Sequence, residues 1–296
     1  MSNLVQADEV ELVLDLHADI GEGPTWDAAT GTLVFVDSTP GRIYRYDPSS
    51  GGLSSVRVGQ AVGAAIPRRN GGLVAAVRDG IGLVDETSGA LELIAPIEAG
   101  IADNRMNDAK CDSRGRLWAG TFSTSFTRNA GALYRINPDH SYARVVPGVF
   151  ISNGIAWSPD EKFMYYNDSG SRGVDVFDYD IDEGVPANRR RLITFDRADG
   201  LPDGMTVDAE GHLWVAHFRG GAVRRYRPDG TLAGTVKLPV SQVASCTFGG
   251  ADLRDLYITT ATHTMNAEQL RREPLSGALF RCRPGVAGLP ANPYAG

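Results

Sequence analysis

Four residues that carry side-chain oxygen recur at one place in a repeated pattern. Asp203 stands eight positions before Gly211, Asn153 eight before Glu161, Asn107 eight before Gly115 and Glu22 nine before Gly31. Glu22, Asn153 and Asp203 are each followed at once by Gly, the residue that lets backbone crowd toward a narrow axis. Two carboxylates and an amide converging from separate segments are hard oxygen donors, a set that suits Ca²⁺, Mg²⁺ or Mn²⁺ and admits Zn²⁺ or Fe²⁺ with waters completing the shell. Side by side without a cation, the carboxylates would raise each other's pKa and cost stability. Asp and Asn also cap turns ahead of strands. Two equivalent positions, near Val62 and Ala244, are nevertheless apolar, so the register does not itself demand polarity and its recurrence favours a site.

The elements that position these residues are short. Runs such as TLVFVD, RIYRYD, LWAGT, LWVAHF and LYITT are rich in β-branched and aromatic residues, and 35 Gly and 16 Pro punctuate the chain. This predicts an all-β protein with frequent turns, and helical periodicity is hard to find anywhere. Six copies of one unit follow each other, with first turns at Gly31, Gly72, Gly115, Glu161, Gly211 and Asp252 spaced by 41, 43, 46, 50 and 41 residues. That is the length of a propeller blade. A four-stranded sheet of this size cannot cover both faces alone, so stacking six around an axis buries a continuous core. The expectation is an all-β, six-bladed β-propeller of four-stranded antiparallel blades around a central channel, a single domain over residues 1–296. The run Val10 to Leu16 is expected to give a strand to the last blade and close the ring. Residues just ahead of each inner strand then sit at one mouth of the channel, where function is to be sought.

Bulk properties exclude several partners. A chain with 42% hydrophobic and 22% charged residues can bury a large core. Its net charge of −7 repels phosphate backbones and anionic lipid, so neither nucleic acid nor a membrane is an expected partner. The start of the chain has no basic leader, and no segment reaches the roughly 20 apolar residues of a membrane span, which points to a soluble, cytoplasmic protein, a monomer or small homo-oligomer. Cys111, Cys246 and Cys282 are too irregularly spaced for a disulfide framework or metal site and read as buried strand residues. Arg189-Arg190-Arg191 reads as a solvated loop face. There is no G-x-S-x-G or H-E-x-x-H motif. His217 reads as packed, and the Trp residues at 26, 118, 157 and 214 as interblade packing.

At these positions the chain resembles the SMP-30/gluconolactonase/LRE-like family of six-bladed propellers. The resemblance covers nearly the whole chain and is carried by GEGPTWD at 21–27, NRMNDAKCDSRGRLWAGT at 104–121, SNGIAWSPDEKFMYYNDS at 152–169, VDVFDYDIDEG at 174–184 and LPDGMTVDAEGHLWVA at 201–216. It implies one divalent cation held by Glu22, Asn153 and Asp203, with Asp203 also the general base, and substrate contacts from Arg105 and Asn107. It further implies a small-molecule substrate, a sugar lactone. The family often places an acidic substrate contact shortly after Ala-Gly-Thr, where this chain has Ser123, Thr124 and Ser125.

The implied chemistry suits an ester. A cation touching the lactone carbonyl would stabilise the developing oxyanion and activate water, Asp203 would take the proton, and Arg105 and Asn107 would fix the sugar in an attack geometry. Arg105 alone is also compatible with a surface salt bridge, Asp108 and Asp168 with exposed turn aspartates. Two further readings remain open: a non-catalytic propeller that binds Ca²⁺, and a hydrolase of another ester or an organophosphate.

Overall fold

Six largely buried runs form the innermost strands of six sheets: Gly21–Asp27, Val62–Pro67, Asn104–Cys111, Ser152–Trp157, Leu201–Val207 and Val243–Gly249. In the computed structural model, which describes residues 9–296, each leads an antiparallel four-stranded blade. Inner strands of successive blades pack side by side, and the sixth packs on the first, so the ring is closed. Five blades run in chain order. The sixth takes its outermost strand, Glu11–Leu14, from the start of the chain and pairs it with Leu279–Cys282, the closure expected of Val10 to Leu16. Arg281 and Glu11 join across this seam at 2.6 Å.

Burial follows position in the blade. Strands such as Leu73–Val77 and Leu117–Ser123 are buried throughout, because neighbouring blades cover both their faces, whereas the outer strand Gly52–Arg57 is mostly exposed. The apolar core accordingly lies in clusters between blades, as where Ile66 and Val74 of the second blade meet Met106 and Ala119 of the third. Tryptophans belong to the same seams: Trp26 stacks on Tyr257, and Trp118 and Trp214 meet Trp157 and Phe248 edge-on. The three cysteines are free and buried on strands.

A polar brace supports the ring away from the axis. Asp112, just after the third inner strand, accepts hydrogen bonds from Arg116 Nε at 2.7 Å, Trp118 Nε1 at 3.1 Å and the Tyr179 hydroxyl of the next blade at 2.8 Å. Asp208 repeats the device with Trp214 Nε1 and Arg225 Nε. Removing one member of a buried ion pair leaves the other charge without compensation, so Asp112→Ala should cost about 3–5 kcal/mol in urea unfolding. A loss below about 1 kcal/mol, the worth of an exposed pair, would show the brace to be dispensable.

Two local expectations are corrected. Arg189, Arg190 and Arg191 do not lie on a loop but on the outer strand Val185–Thr194, where Asp175 and Asp178 of the adjoining strand pair with them. A short α-helix, Ala267–Arg272, interrupts the β pattern; Asn266 caps it, with Gln269 completing a capping box. Beyond the last strand, residues 286–296 cross the far mouth of the channel. Backbone bonds tie Ala287 and Gly288 to the fifth and sixth blades and Tyr294 and Ala295 to the second and third. Among the described residues, no helix is long and apolar enough to cross a membrane.

Candidate active site at the channel mouth

Every inner strand breaks register with its neighbour at the same level. The irregularities fall between Glu22 and Thr25, Val62 and Ala64, Met106 and Ala109, Asn153 and Ile155, Pro202 and Met205, and Val243 and Ser245. A β-bulge adds a residue, bends the strand and re-aims a side chain. Glu22 and Asn153 stand immediately before their bulges; Asn107 and Asp203 lie within theirs. The glycines that follow allow the blades to approach. Gly23 and Gly154 have positive φ, and a Cβ on them would stand 2.9 Å from Ala64 Cα and 2.8 Å from the Asp203 carbonyl oxygen. No larger residue fits there without moving the neighbouring blade.

The bulges form the floor of a cavity of about 770 Å³ to which Glu22, Arg105, Asn107, Asn153 and Asp203 all contribute. All five residues singled out from the sequence are therefore brought together. A smaller cavity of about 230 Å³ at the other end, lined by Lys110, Trp157 and Pro290 among others, lies under the C-terminal segment.

Hydrogen bonds orient the floor. Asn153 Nδ2 donates to Ser169 Oγ at 2.8 Å, and Ser169 donates in turn to the Pro202 carbonyl at 2.7 Å. That leaves Asn153 Oδ1 on the other side, where it accepts from Asn107 Nδ2 at 2.8 Å and keeps a second lone pair. Asn167 Nδ2 holds the Asp203 carbonyl at 2.6 Å. Glu22 Oε2 accepts from the Gly23 amide at 3.2 Å, while Asp203 Oδ1 is buried with no hydrogen-bond partner.

The electrostatics are those of acids held in a place that disfavours their charge. Burial first, and then the charge of Asp108, pushes the Glu22 carboxyl up to about 8. Asp203 is raised by burial and then by Glu22 and Asp108. Beneath them Lys110, half-buried, donates to the Met205 carbonyl at 2.7 Å, and desolvation lowers its pKa. Arg105 forms no salt bridge among the described residues; its guanidinium lies 4.6 Å from the centre of the Phe122 ring and donates to Ser38 Oγ. Burial brings it down to about 10. An unsatisfied buried carboxylate oxygen among oxygen donors is what a hard divalent cation would complete, so Glu22, Asn153 and Asp203 fit such a group.

Other sequence readings resolve differently. Asp108 is buried rather than an exposed turn residue. Asp168 caps the turn at Ser169–Ser171 and accepts from the Phe150 and Ile151 amides. His217 is packed between the Asp199 carbonyl and the Tyr226 hydroxyl, and burial lowers it to about 4. A second carboxylate group, Asp208, Glu210 and His212, comes close enough to suggest a metal, but the Asp208 oxygens are already taken by Trp214, Arg225 and nearby backbone amides. Sequence reasoning missed Ser169, Asn167 and Lys110, which lie outside the repeated register, and the rim arginines Arg78 and Arg219.

The family model for the SMP-30/gluconolactonase/LRE-like region matches residues 20–262, a span holding all five site residues. The chain belongs to this family. Among its SMP-30 relatives, regucalcin of Xenopus laevis is 39% identical over 295 residues, covering 97% of this chain and 99% of its own. A calcium-binding regucalcin structure from Agrobacterium tumefaciens superposes with a TM-score of 0.94 at 26% identity, over 99% of both chains. A gluconolactonase structure from Xanthomonas campestris gives 0.75 at 25% identity, over 92% of this chain and 88% of that one. The SMP-30 assignment thus agrees with the blade count and with the resemblance carried by the sequence motifs.

Proposed function

We propose that the chain is a metal-dependent hydrolase that opens a sugar-acid lactone to its aldonic acid. The observation that carries this reading is the meeting of Glu22, Asn153 and Asp203 with Arg105 and Asn107 on one cavity floor. Membership of a family that includes gluconolactonases supports it. Glu22, Asn153 and Asp203 would hold a divalent cation, which when bound would supply Lewis-acid polarisation of the ester carbonyl.

The chain's own residues supply the rest. Asp203, buried on the floor, accepts a proton from the attacking water through its carboxylate. Water oxygen bonds to the carbonyl carbon, the ring C–O bond breaks, and the departing ring oxygen takes from Asp203 the proton that water gave up, becoming a hydroxyl and restoring the carboxylate. Arg105 and Asn107, fixed by Ser38 and Asn153, hold the substrate's oxygens so that the carbonyl stays in line for attack. Asn167, Ser169 and the bulge glycines keep the floor from relaxing.

A panel of aldonolactones in a pH-stat, with chelated protein and with Ca²⁺, Zn²⁺, Mn²⁺ or Mg²⁺ restored, tests the proposal. Metal-dependent opening of at least one lactone is expected. Metal-dependent thermal stabilisation with no turnover of any lactone would instead identify a binding propeller of the calcium-binding kind.

A further inference from the structure

Above the acidic floor the cavity wall is cationic. Three guanidinium groups reach it from three blades: Arg105 on the third inner strand, Arg78 just after Leu73–Val77 of the second blade, and Arg219 just after Leu213–Phe218 of the fifth. None of the three forms an ion pair among the described residues. Arg78 donates to the Ala102 carbonyl at 2.9 Å, Arg219 to Thr264 Oγ1 at 3.3 Å, and Arg105 to Ser38 Oγ and the Met106 carbonyl, both at 3.1 Å. Each retains N–H donors for a ligand.

No ion pair among the described residues neutralises them, and Arg105 feels the nearby carboxylates of Glu22 and then Asp19. The carboxylates lining the cavity are Glu22 and Asp203, both at the floor, and the stretch Phe122-Ser123-Thr124-Ser125 brings no acid to the wall. At the rim, Asp19 is engaged by the Thr39 hydroxyl and by His263 at 3.3 Å. A basic rim on a chain of net charge −7 marks a local attraction for anions that the molecule as a whole opposes. Guanidinium groups match carboxylate and phosphate oxygens with paired N–H donors.

We propose that the site selects lactones that carry an anionic group, a carboxylate or a phosphate, at the end of the sugar chain away from the lactone carbonyl. Arg78 and Arg219, on opposite blades of the ring, offer that group guanidinium N–H donors at the rim while the carbonyl faces the floor. The inference rests on the lactonase reading and specifies its substrate class.

Three substrates of matched ring separate the possibilities: the γ-lactone of an aldonic acid, the γ-lactone of the corresponding aldaric acid, and the terminal phosphate ester of the first. With metal-loaded full-length protein, kcat/KM for one anionic lactone should exceed that for the neutral lactone by roughly tenfold or more, and the excess should shrink as salt is raised. The double variant Arg78→Gln/Arg219→Gln should lower that ratio by about tenfold. Which anionic lactone leads tells carboxylate from phosphate. A ratio near one, or a ratio the double variant leaves in place, overturns the proposal. If no lactone is opened, calorimetric titration with the aldarate and aldonate anions still decides. An arginine-dependent preference for the dianion sustains anion selection while the lactonase reading fails, and equal binding overturns both.

Discussion

Asp203→Asn should lower kcat for lactone opening by about 10²–10⁴-fold, the usual worth of a positioned general base, with a smaller change in KM. Asparagine keeps the volume, and the hydrogen bond that ties this residue to the neighbouring blade is made by its backbone. Its carbonyl accepts from Asn167 at 2.6 Å and sits against Gly154. The amide removes the one carboxylate oxygen on the floor that is buried without a partner, and with it both the proton acceptor and one negative charge. The fold should therefore survive; without metal, the variant should melt no lower than the parent, because a disfavoured buried acid has been replaced by a neutral group. Steady-state kinetics on the best lactone of the panel, beside melting curves in chelator, separate the two effects. Retention of activity within about tenfold, a barrier change of only ~1.4 kcal/mol, would remove Asp203 from the mechanism.

Glu22→Gln should separate metal binding from fold stability. A ligand at about 100 times its Kd stabilises a protein by about 2.7 kcal/mol, which for a chain of this size corresponds to roughly 5–10 °C in Tm. The parent should show such a rise on metal addition, and the variant should lose most of it. The metal-free proteins should differ in the opposite sense. The Glu22 carboxyl is raised from 4.5 to about 8 by burial and by Asp108, so the folded state holds its proton where the unfolded chain releases it. The stability it contributes is fully present below the ordinary carboxylate range, falls as pH rises and is gone above about 8. Glutamine has no proton to lose, so metal-free Glu22→Gln should outlast the parent in urea at alkaline pH while the two converge in acid. A variant that keeps the metal-induced rise in Tm would take Glu22 out of the ligand set.

These two residues illustrate how much the order of the chain reveals. The repeat spacing located both, because each blade spends a similar number of residues between its inner-strand entry and its first turn. Asn107 and Asn153 fall in the same register, whereas Arg105 lies outside it and is implied only by the family resemblance. Ser169 was not legible in this way. It acts from a turn in the fourth blade upon Asn153 beside it and on the carbonyl of Pro202 in the next blade. Asp108 could not be told from an exposed turn residue, since its burial depends on where the neighbouring blades close. Arg189 to Arg191 show the converse: three like charges suggested a loop, but Asp175 and Asp178 lie opposite them on the adjoining strand and supply the counter-charge.

The sequence by itself determined the strand class, the six-fold repeat and the positions at which oxygen donors enter the channel mouth, because apolar alternation and turn chemistry are local and recur in each unit. Only the tertiary structure decided what those donors experience. The six bulges lie at one level, so packing of blade against blade turns Glu22, Asn153 and Asp203 toward a common floor and strips water from it. The same packing sets Arg78, Arg105 and Arg219 around the cavity from segments far apart in the chain. Charge and desolvation depend on distances between blades, and those distances are settled only when the ring closes.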